Sequence, residues 1–142
     1  MTGELQERLL KRRVRPRIGL LPTGHDYYWD QFPKLKEMGM KMFHQLLAFL
    51  QEHAEIITAE LTDTEAKAQK AGALFRKEEV DLIVIFPLGY TPSMQVVPVV
   101  RDVNIPIRLL NAHEDRSYDY AKADTTIYLH HEGVCCIPEY AG

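Results

Sequence analysis

The segment Val80-Asp-Leu-Ile-Val-Ile-Phe-Pro-Leu88 indicates the class of fold most clearly, because its apolar run from Leu82 to Phe86 is unbroken. Strands with one wet face alternate apolar and polar residues, whereas parallel strands covered on both faces have continuous runs of this kind. Residues 80–88 are therefore predicted to form a central parallel strand. Three other segments with strand-like patterns are Arg17–Thr23, Ala54–Leu61 and Ile105–Asn111.

Helical patterns separate these four segments. Asp30 or Gln31 begins the first predicted helix, in which apolar residues recur at helical spacing through to His53. The sequence Thr62-Asp-Thr-Glu65 matches a capping box and predicts the start of a second helix. Strand and helix thus alternate along the first half of the chain.

The remaining segments have less regular patterns. Pro92 is suited to open a third helix, which Pro98 is expected to shorten or kink. Thr125–His130 fits either a fifth strand or the start of a helix, and residues 133–142 look like the beginning of another element. A short amphipathic helix is also predicted near the N-terminus, over Glu4–Arg13.

Alternation of strands and helices predicts an α/β fold with a doubly wound, mostly parallel sheet. We expect a flavodoxin-like strand order, 2-1-3-4-5, with helices on both faces in a three-layer α/β/α arrangement. The 142 residues suffice for a single domain over residues 1–142. In this order the topological switch point, where ligands bind, lies between strands one and three.

The composition is that of an ordinary globular protein, with 46% hydrophobic and 26% charged residues. A net charge of −3 gives no general basic field, so no nucleic-acid partner is expected. No apolar run approaches the ~20 residues of a membrane span, and no signal peptide is recognisable. The adjacent Cys135 and Cys136 are a poor disulfide framework, so a cytoplasmic location without membrane attachment is predicted.

Polar and aromatic side chains follow the first predicted strand. We interpret His25, Asp26, Tyr27 and Tyr28 as residues that bind a small polar ligand at the switch point. Two other interpretations stay open: Asp26 could cap the following helix, and the aromatic residues, with Trp29, could contact another subunit.

Two further loops are predicted to reach the same edge. Tyr90 and Thr91 directly follow the strongest strand and are candidate ligand contacts, although Thr91 could instead cap the next helix. His113, after the fourth strand, is a third candidate.

The sequence His130-His-Glu-Gly-Val-Cys-Cys136 invites a metal-site hypothesis, but its spacing argues against one. Adjacent histidines on a strand point to opposite faces, and zinc sites usually have CxxC or HxxxH spacing. A nucleophilic cysteine would also need a base and an electropositive site. We therefore predict neither metal ligands nor catalytic residues in this chain.

These segments together resemble the N-terminal domain of the L-fucose / L-arabinose isomerase family. The resemblance rests on Arg17-Ile-Gly-Leu-Leu-Pro-Thr-Gly-His-Asp-Tyr-Tyr-Trp-Asp-Gln-Phe-Pro33 and on Val80-Asp-Leu-Ile-Val-Ile-Phe-Pro-Leu-Gly-Tyr-Thr-Pro92. It continues in Leu35–Gly39, Ile105–Ala112 and His131–Gly133, and so covers nearly the whole chain.

The resemblance implies a role in aldose–ketose interconversion, in which a proton moves between neighbouring carbons through an enediol. In the family a divalent metal, commonly manganese, binds the sugar oxygens, and its ligands lie in later domains. The chain is thus expected to be an N-terminal domain or a truncated fragment that binds no cofactor itself and is inactive alone. Its partners would be a small sugar and further copies of the same subunit.

In that family the loop after the first strand reaches the active site of a neighbouring subunit. The matching positions here are His25, Asp26, Tyr27 and Tyr28, where arabinose isomerases typically have Gln-His-Leu-Tyr. The difference leaves the identity of the sugar open. Two alternatives are a stand-alone sugar-binding or assembly module and a small sugar-phosphate isomerase that uses Cys135 or Cys136 with a histidine.

Overall fold

The computed structural model describes residues 15–141, in which helices pack on both faces of a parallel sheet. The strands are β1 (Arg17–Thr23), β2 (Glu55–Thr58), β3 (Leu82–Pro87) and β4 (Ile107–Leu109). The α-helices are α1 (Pro33–Gln51), α2 (Glu65–Lys77), α3 (Val97–Val100), α4 (Thr125–His131) and α5 (Gly133–Ala141). The helix predicted over Glu4–Arg13 lies outside the described residues.

The strand order is β2-β1-β3-β4, and every pair is parallel. The prediction of an α/β fold with a parallel sheet is therefore confirmed. Within residues 15–141 the sheet has four strands, so a fifth strand is not part of it. Thr125–His130 belongs to α4 because the Asp124 side chain accepts a hydrogen bond from the Ile127 N–H at 2.9 Å and caps the helix.

The apolar run of β3 contributes to the packing on both faces. Ile83 and Ile85 pack in a cluster with α2 and α3, whereas Val84 and Phe86 pack in a second cluster with α1. All four side chains are buried. Burial on both faces is the reason that this strand lacks the usual alternation of apolar and polar residues.

Several predicted boundaries were wrong in detail. The N-cap of α2 is Thr64, which accepts a hydrogen bond from the Lys67 N–H, so the capping box at residues 62–65 does not form. Pro98 lies in the first turn of α3 and therefore does not kink it, although the helix is as short as expected. β4 covers only three residues, and Pro106, which has no N–H, precedes it.

Arg17 links three parts of the fold. Its guanidinium forms ion pairs with Glu55 and with Glu78, each at 2.9 Å, and its backbone N–H donates to Asp81. These contacts join β1 to β2 and to the end of α2. Arg17 therefore has a structural role, which our sequence analysis did not predict.

Among residues 15–141, none of the helices is both long and apolar enough to span a bilayer.

Candidate functional site

The loops that follow β1 and β3 lie side by side at the carboxyl edge of the sheet. Thr23 is in register with Pro87, and the Leu88 N–H donates to the Thr23 carbonyl at 2.9 Å. β1 lies between β2 and β3, so the strand order reverses at this point. Ligands bind at such positions in open α/β sheets. We call the loops Gly24–Trp29 and Leu88–Pro92 the switch-point edge.

His25, Asp26, Tyr27 and Tyr28 form one cluster around a 3-10 turn. Asp26 Oδ1 accepts a hydrogen bond from the Tyr27 N–H at 2.9 Å and lies 3.2 Å from Nδ1 of His25. The His25 ring centroid is 5.9 Å from that of Tyr27 and 5.3 Å from that of Tyr28. The N-cap of α1 is Phe32, so Asp26 does not cap the following α-helix.

Trp29 anchors this loop to the start of α2. Its indole N–H donates to Asp63 Oδ2 at 2.8 Å, and Lys67 Nζ lies 2.6 Å from the other carboxylate oxygen. A Cβ atom at Gly24 would come within 2.5 Å of the Trp29 ring. Glycine at position 24 thus lets the indole cover the loop backbone while the neighbouring polar side chains stay accessible.

The loop after β3 is held by α5. Tyr140 Oη donates to the Thr91 carbonyl at 2.7 Å, and the Thr91 N–H lies 3.0 Å from Sγ of Cys136. Glu139 accepts hydrogen bonds from the Ser93 N–H at 2.7 Å and from Tyr90 Oη at 3.2 Å. These bonds from the last helix fix the position of Tyr90.

Tyr28 and Tyr90 come from different loops and share one environment. Burial raises the pKa of both phenols, and ionisation of the nearby Cys136 thiol at high pH would raise both further. Glu132 further raises the pKa of Tyr28, and Glu139 raises that of Tyr90. Both tyrosines are neutral at physiological pH. The Tyr28 phenol can donate a hydrogen bond to a hydroxyl group of a ligand, whereas Tyr90, which donates to Glu139, can accept one.

Cys136 has a structural environment. Its side chain is fully buried, and this burial raises the pKa of its thiol above the ordinary value. A thiol in such surroundings is protonated at neutral pH and is a poor nucleophile. Cys136 is therefore unsuited to the catalysis that a small sugar-phosphate isomerase would require of it.

Asn111, His113 and His131 form a hydrogen-bonded chain beside β4. Asn111 Nδ2 lies 2.9 Å from Nε2 of His113, and the Nδ1 atoms of the two histidines are 2.9 Å apart. An amide N–H donates to His113 Nε2, so His113 is protonated at Nδ1 and donates to His131. His131 is then protonated at Nε2, which faces Asp115 Oδ2 at 3.7 Å.

Acidification is expected to destabilise the fold through His113 and His130. Burial lowers the pKa of both imidazoles below 6.5, and His131 lowers them further. The unfolded chain therefore binds more protons than the folded chain below about pH 6.5, so stability present above that pH is lost as the pH falls. Urea denaturation at about pH 7.5 and about pH 5.5 measures this loss.

Two variants identify the source of this pH dependence. His130→Phe should reduce the difference between the two pH values, because it removes a buried titrating group. His53→Gln should leave the difference unchanged, because His53 is exposed. A free energy of unfolding that rises on acidification would contradict the burial of the His130 imidazole.

Residues 15–141 contain no group of three or more His, Cys, Asp and Glu side chains placed to hold a metal ion. The described part of the chain thus offers no fit for the divalent metal that the resemblance implies. His130 and His131 lie on α4, so the argument that adjacent histidines of a strand point to opposite faces does not apply to them. Their ring centroids are 5.6 Å apart.

The structure brings together most of the residues selected from the sequence. His25, Asp26, Tyr27, Tyr28 and Tyr90 all lie at the switch-point edge. The Thr91 side chain is fully buried and does not face a ligand, and it does not cap a helix either. His113 belongs to the histidine chain. Its side-chain hydrogen bonds are with Asn111 and His131, not with Tyr28 or Tyr90.

The contribution of α5 to the switch-point edge was not predicted from the sequence. Cys136, Glu139 and Tyr140 all contact the loop after β3. Their spacing at positions i, i+3 and i+4 places them on one helix face, which is the signal that could have revealed them.

Neither the protein-family models nor the curated proteins include a match to this chain. Its function is therefore inferred from the switch-point edge itself.

Proposed function

We propose that this chain is a sugar-binding domain of an aldose–ketose isomerase, and that its fold is of the flavodoxin-like class. The observation that carries the proposal is the grouping of His25, Asp26, Tyr27, Tyr28 and Tyr90 at the switch point of a parallel sheet. A polyhydroxylated ligand needs several hydrogen-bond donors and acceptors beside an apolar ring. These five side chains supply the hydrogen-bonding groups as well as the rings.

The exposures of these side chains support a ligand at this position. Asp26 is exposed, and Tyr27 is 74% exposed, whereas His25, Tyr28 and Tyr90 are half-buried. Half-buried rings can cover one face of a sugar, and the Asp26 carboxylate can accept hydrogen bonds from its hydroxyl groups. The surroundings keep both phenols neutral, so Tyr28 can donate a hydrogen bond to the sugar and Tyr90, which donates to Glu139, can accept one.

The strand order supports the flavodoxin-like class. The observed order, β2-β1-β3-β4, corresponds to the first four strands of the expected 2-1-3-4-5 order. A fifth strand would pair with the outer edge of β4, where Ile107 and Arg108 are exposed. Such a strand would have to come from outside residues 15–141.

We also propose that the domain forms homo-oligomers through the loop after β1. Tyr27 projects from the 3-10 turn with a large exposed apolar surface, which is typical of residues at subunit interfaces. In this arrangement the loop would complete a neighbouring subunit's active site, as the resemblance implies. The divalent metal, manganese in much of the family, and the proton-transfer residues would be supplied outside this domain.

Calorimetric titration with L-fucose and L-arabinose, in the absence of metal, tests the proposed function. We expect saturable binding with a dissociation constant on the order of millimolar and no isomerase turnover. Tyr28→Ala should weaken binding about fivefold, because a ring contact contributes about 1 kcal/mol. His25→Ala should weaken it as well.

His53→Ala is the matched control, since it removes an exposed histidine that lies just after α1. This variant should bind both sugars with unchanged affinity. Absence of saturable binding to any aldose or ketose would contradict the proposal. Binding that is the same in Tyr28→Ala and in the unaltered protein would exclude the switch-point edge as the site.

A further inference from the structure

A cavity of about 280 Å³ lies where the segment before α4 meets α4 and α5. The residues that form its walls and carry the argument are Tyr118, Tyr120, Tyr128, His131 and Glu132. None of them belongs to the residues assigned to the sugar. We call this cavity the tyrosine pocket.

The rings of the tyrosine pocket meet at steep angles. The centroids of Tyr118 and Tyr120 are 4.8 Å apart with an angle of 61° between their planes. The ring centroids of Tyr118 and His131 are 5.2 Å apart, with an angle of 80° between the ring planes. Tyr120 is 86% exposed and Tyr128 is 55% exposed. Exposed aromatic surface is thus concentrated around a concave site instead of being packed in the core.

The charge of the tyrosine pocket is negative. Glu132 supplies a carboxylate that raises the pKa of the neighbouring Tyr128 phenol. The Nδ1 atom of His131 lies 2.9 Å from that of His113. The lining of this cavity includes no lysine and no arginine, and Lys122, nearby in sequence, is ion-paired with Asp119 at 3.1 Å.

We propose that the tyrosine pocket binds a methylated ammonium group, as found in choline and in trimethyllysine. The electron-rich faces of aromatic rings attract such cations, and a carboxylate adds a compensating charge. A trimethylammonium group has no N–H donors, so it needs no hydrogen-bond acceptor, and the carboxylate acts only as a counter-charge. The volume of the pocket accommodates a group of this size.

Titration with choline, followed by NMR shifts of the protein, tests this proposal. The matched control ligand is 3,3-dimethyl-1-butanol, which has the shape of choline without its charge. We expect saturable choline binding and at least about fivefold weaker binding of the neutral analogue. Tyr120→Leu and Glu132→Gln should each weaken choline binding by a similar factor, whereas Phe49→Leu, an exposed aromatic on α1, should not.

Two further ligands distinguish whether the natural cation belongs to a protein or to a lipid. A trimethyllysine peptide and vesicles of phosphatidylcholine present the same group on a protein tail and on a lipid surface, and the stronger binder identifies the natural source. Equal binding of choline and its neutral analogue would overturn the proposal, as would the absence of any choline-induced shift. Displacement of choline by L-fucose would instead assign the pocket to sugar. A failure here leaves the sugar test unaffected, since the two sites share no residue.

Discussion

Replacing Asp63 with alanine is expected to destabilise the protein by about 1–3 kcal/mol, the cost of leaving the part-buried Trp29 indole N–H without its acceptor. The side chain of Asp63 is almost fully buried and binds both the Trp29 indole and the Lys67 ammonium. Its loss leaves the indole N–H without an acceptor and releases the loop that carries His25 to Tyr28. Denaturant-induced unfolding measures the loss of stability.

Trp29 is the only tryptophan in the chain, so its fluorescence reports directly on this anchor. In Asp63→Ala the emission should shift to longer wavelength as water reaches the indole. Asp63→Asn is the matched variant, because it keeps an acceptor for the indole but removes the charge, and it should lose less stability. Equal stability of Asp63→Ala and the unaltered protein would show that the anchor does not hold the loop.

Replacing Gly39 with alanine is expected to destabilise the protein by about 1–3 kcal/mol, even though alanine favours helix by about 1 kcal/mol. Gly39 lies in α1 against the end of β3. A Cβ atom there would come within 2.7 Å of both Cβ and Cγ of Leu88. Leu88 is itself buried at the start of the switch-point edge, so it cannot move away freely.

Gln45→Ala supplies the control for this effect. Gln45 lies on an exposed face of the same helix, so the change in helix propensity occurs there without a clash. Thermal unfolding of the two variants should therefore give a lower Tm for Gly39→Ala and a nearly unchanged Tm for Gln45→Ala. A stabilised Gly39→Ala variant would contradict the close packing of α1 on Leu88.

Most of the sheet could be predicted from local patterns. The continuous apolar run of β3 identifies a strand covered on both faces, and the alternation with helices implies parallel pairing. Thr125–His130 was ambiguous because its β-branched and aromatic residues suit a strand as well as a helix. The decisive signal was Asp124, one residue earlier, which caps α4.

The candidate site was predictable only where its residues lie within one segment. The cluster from His25 to Tyr28 follows a strand directly, so its location could be inferred. The Asp63 anchor joins Trp29 to the start of α2, and such a contact leaves no mark in either segment alone. The same holds for α5, whose contacts with Thr91 span about 50 residues of sequence.

The most direct test of the central claim is NMR mapping of sugar binding on the isotope-labelled protein. Titration with L-fucose or L-arabinose should shift the amide signals of residues 24–29 and 88–91 first, with a common saturation curve. The side-chain signal of the Trp29 indole should shift with them. Saturable shifts confined to other parts of the sheet, or no saturable shifts with any aldose or ketose, would contradict sugar binding at the switch-point edge.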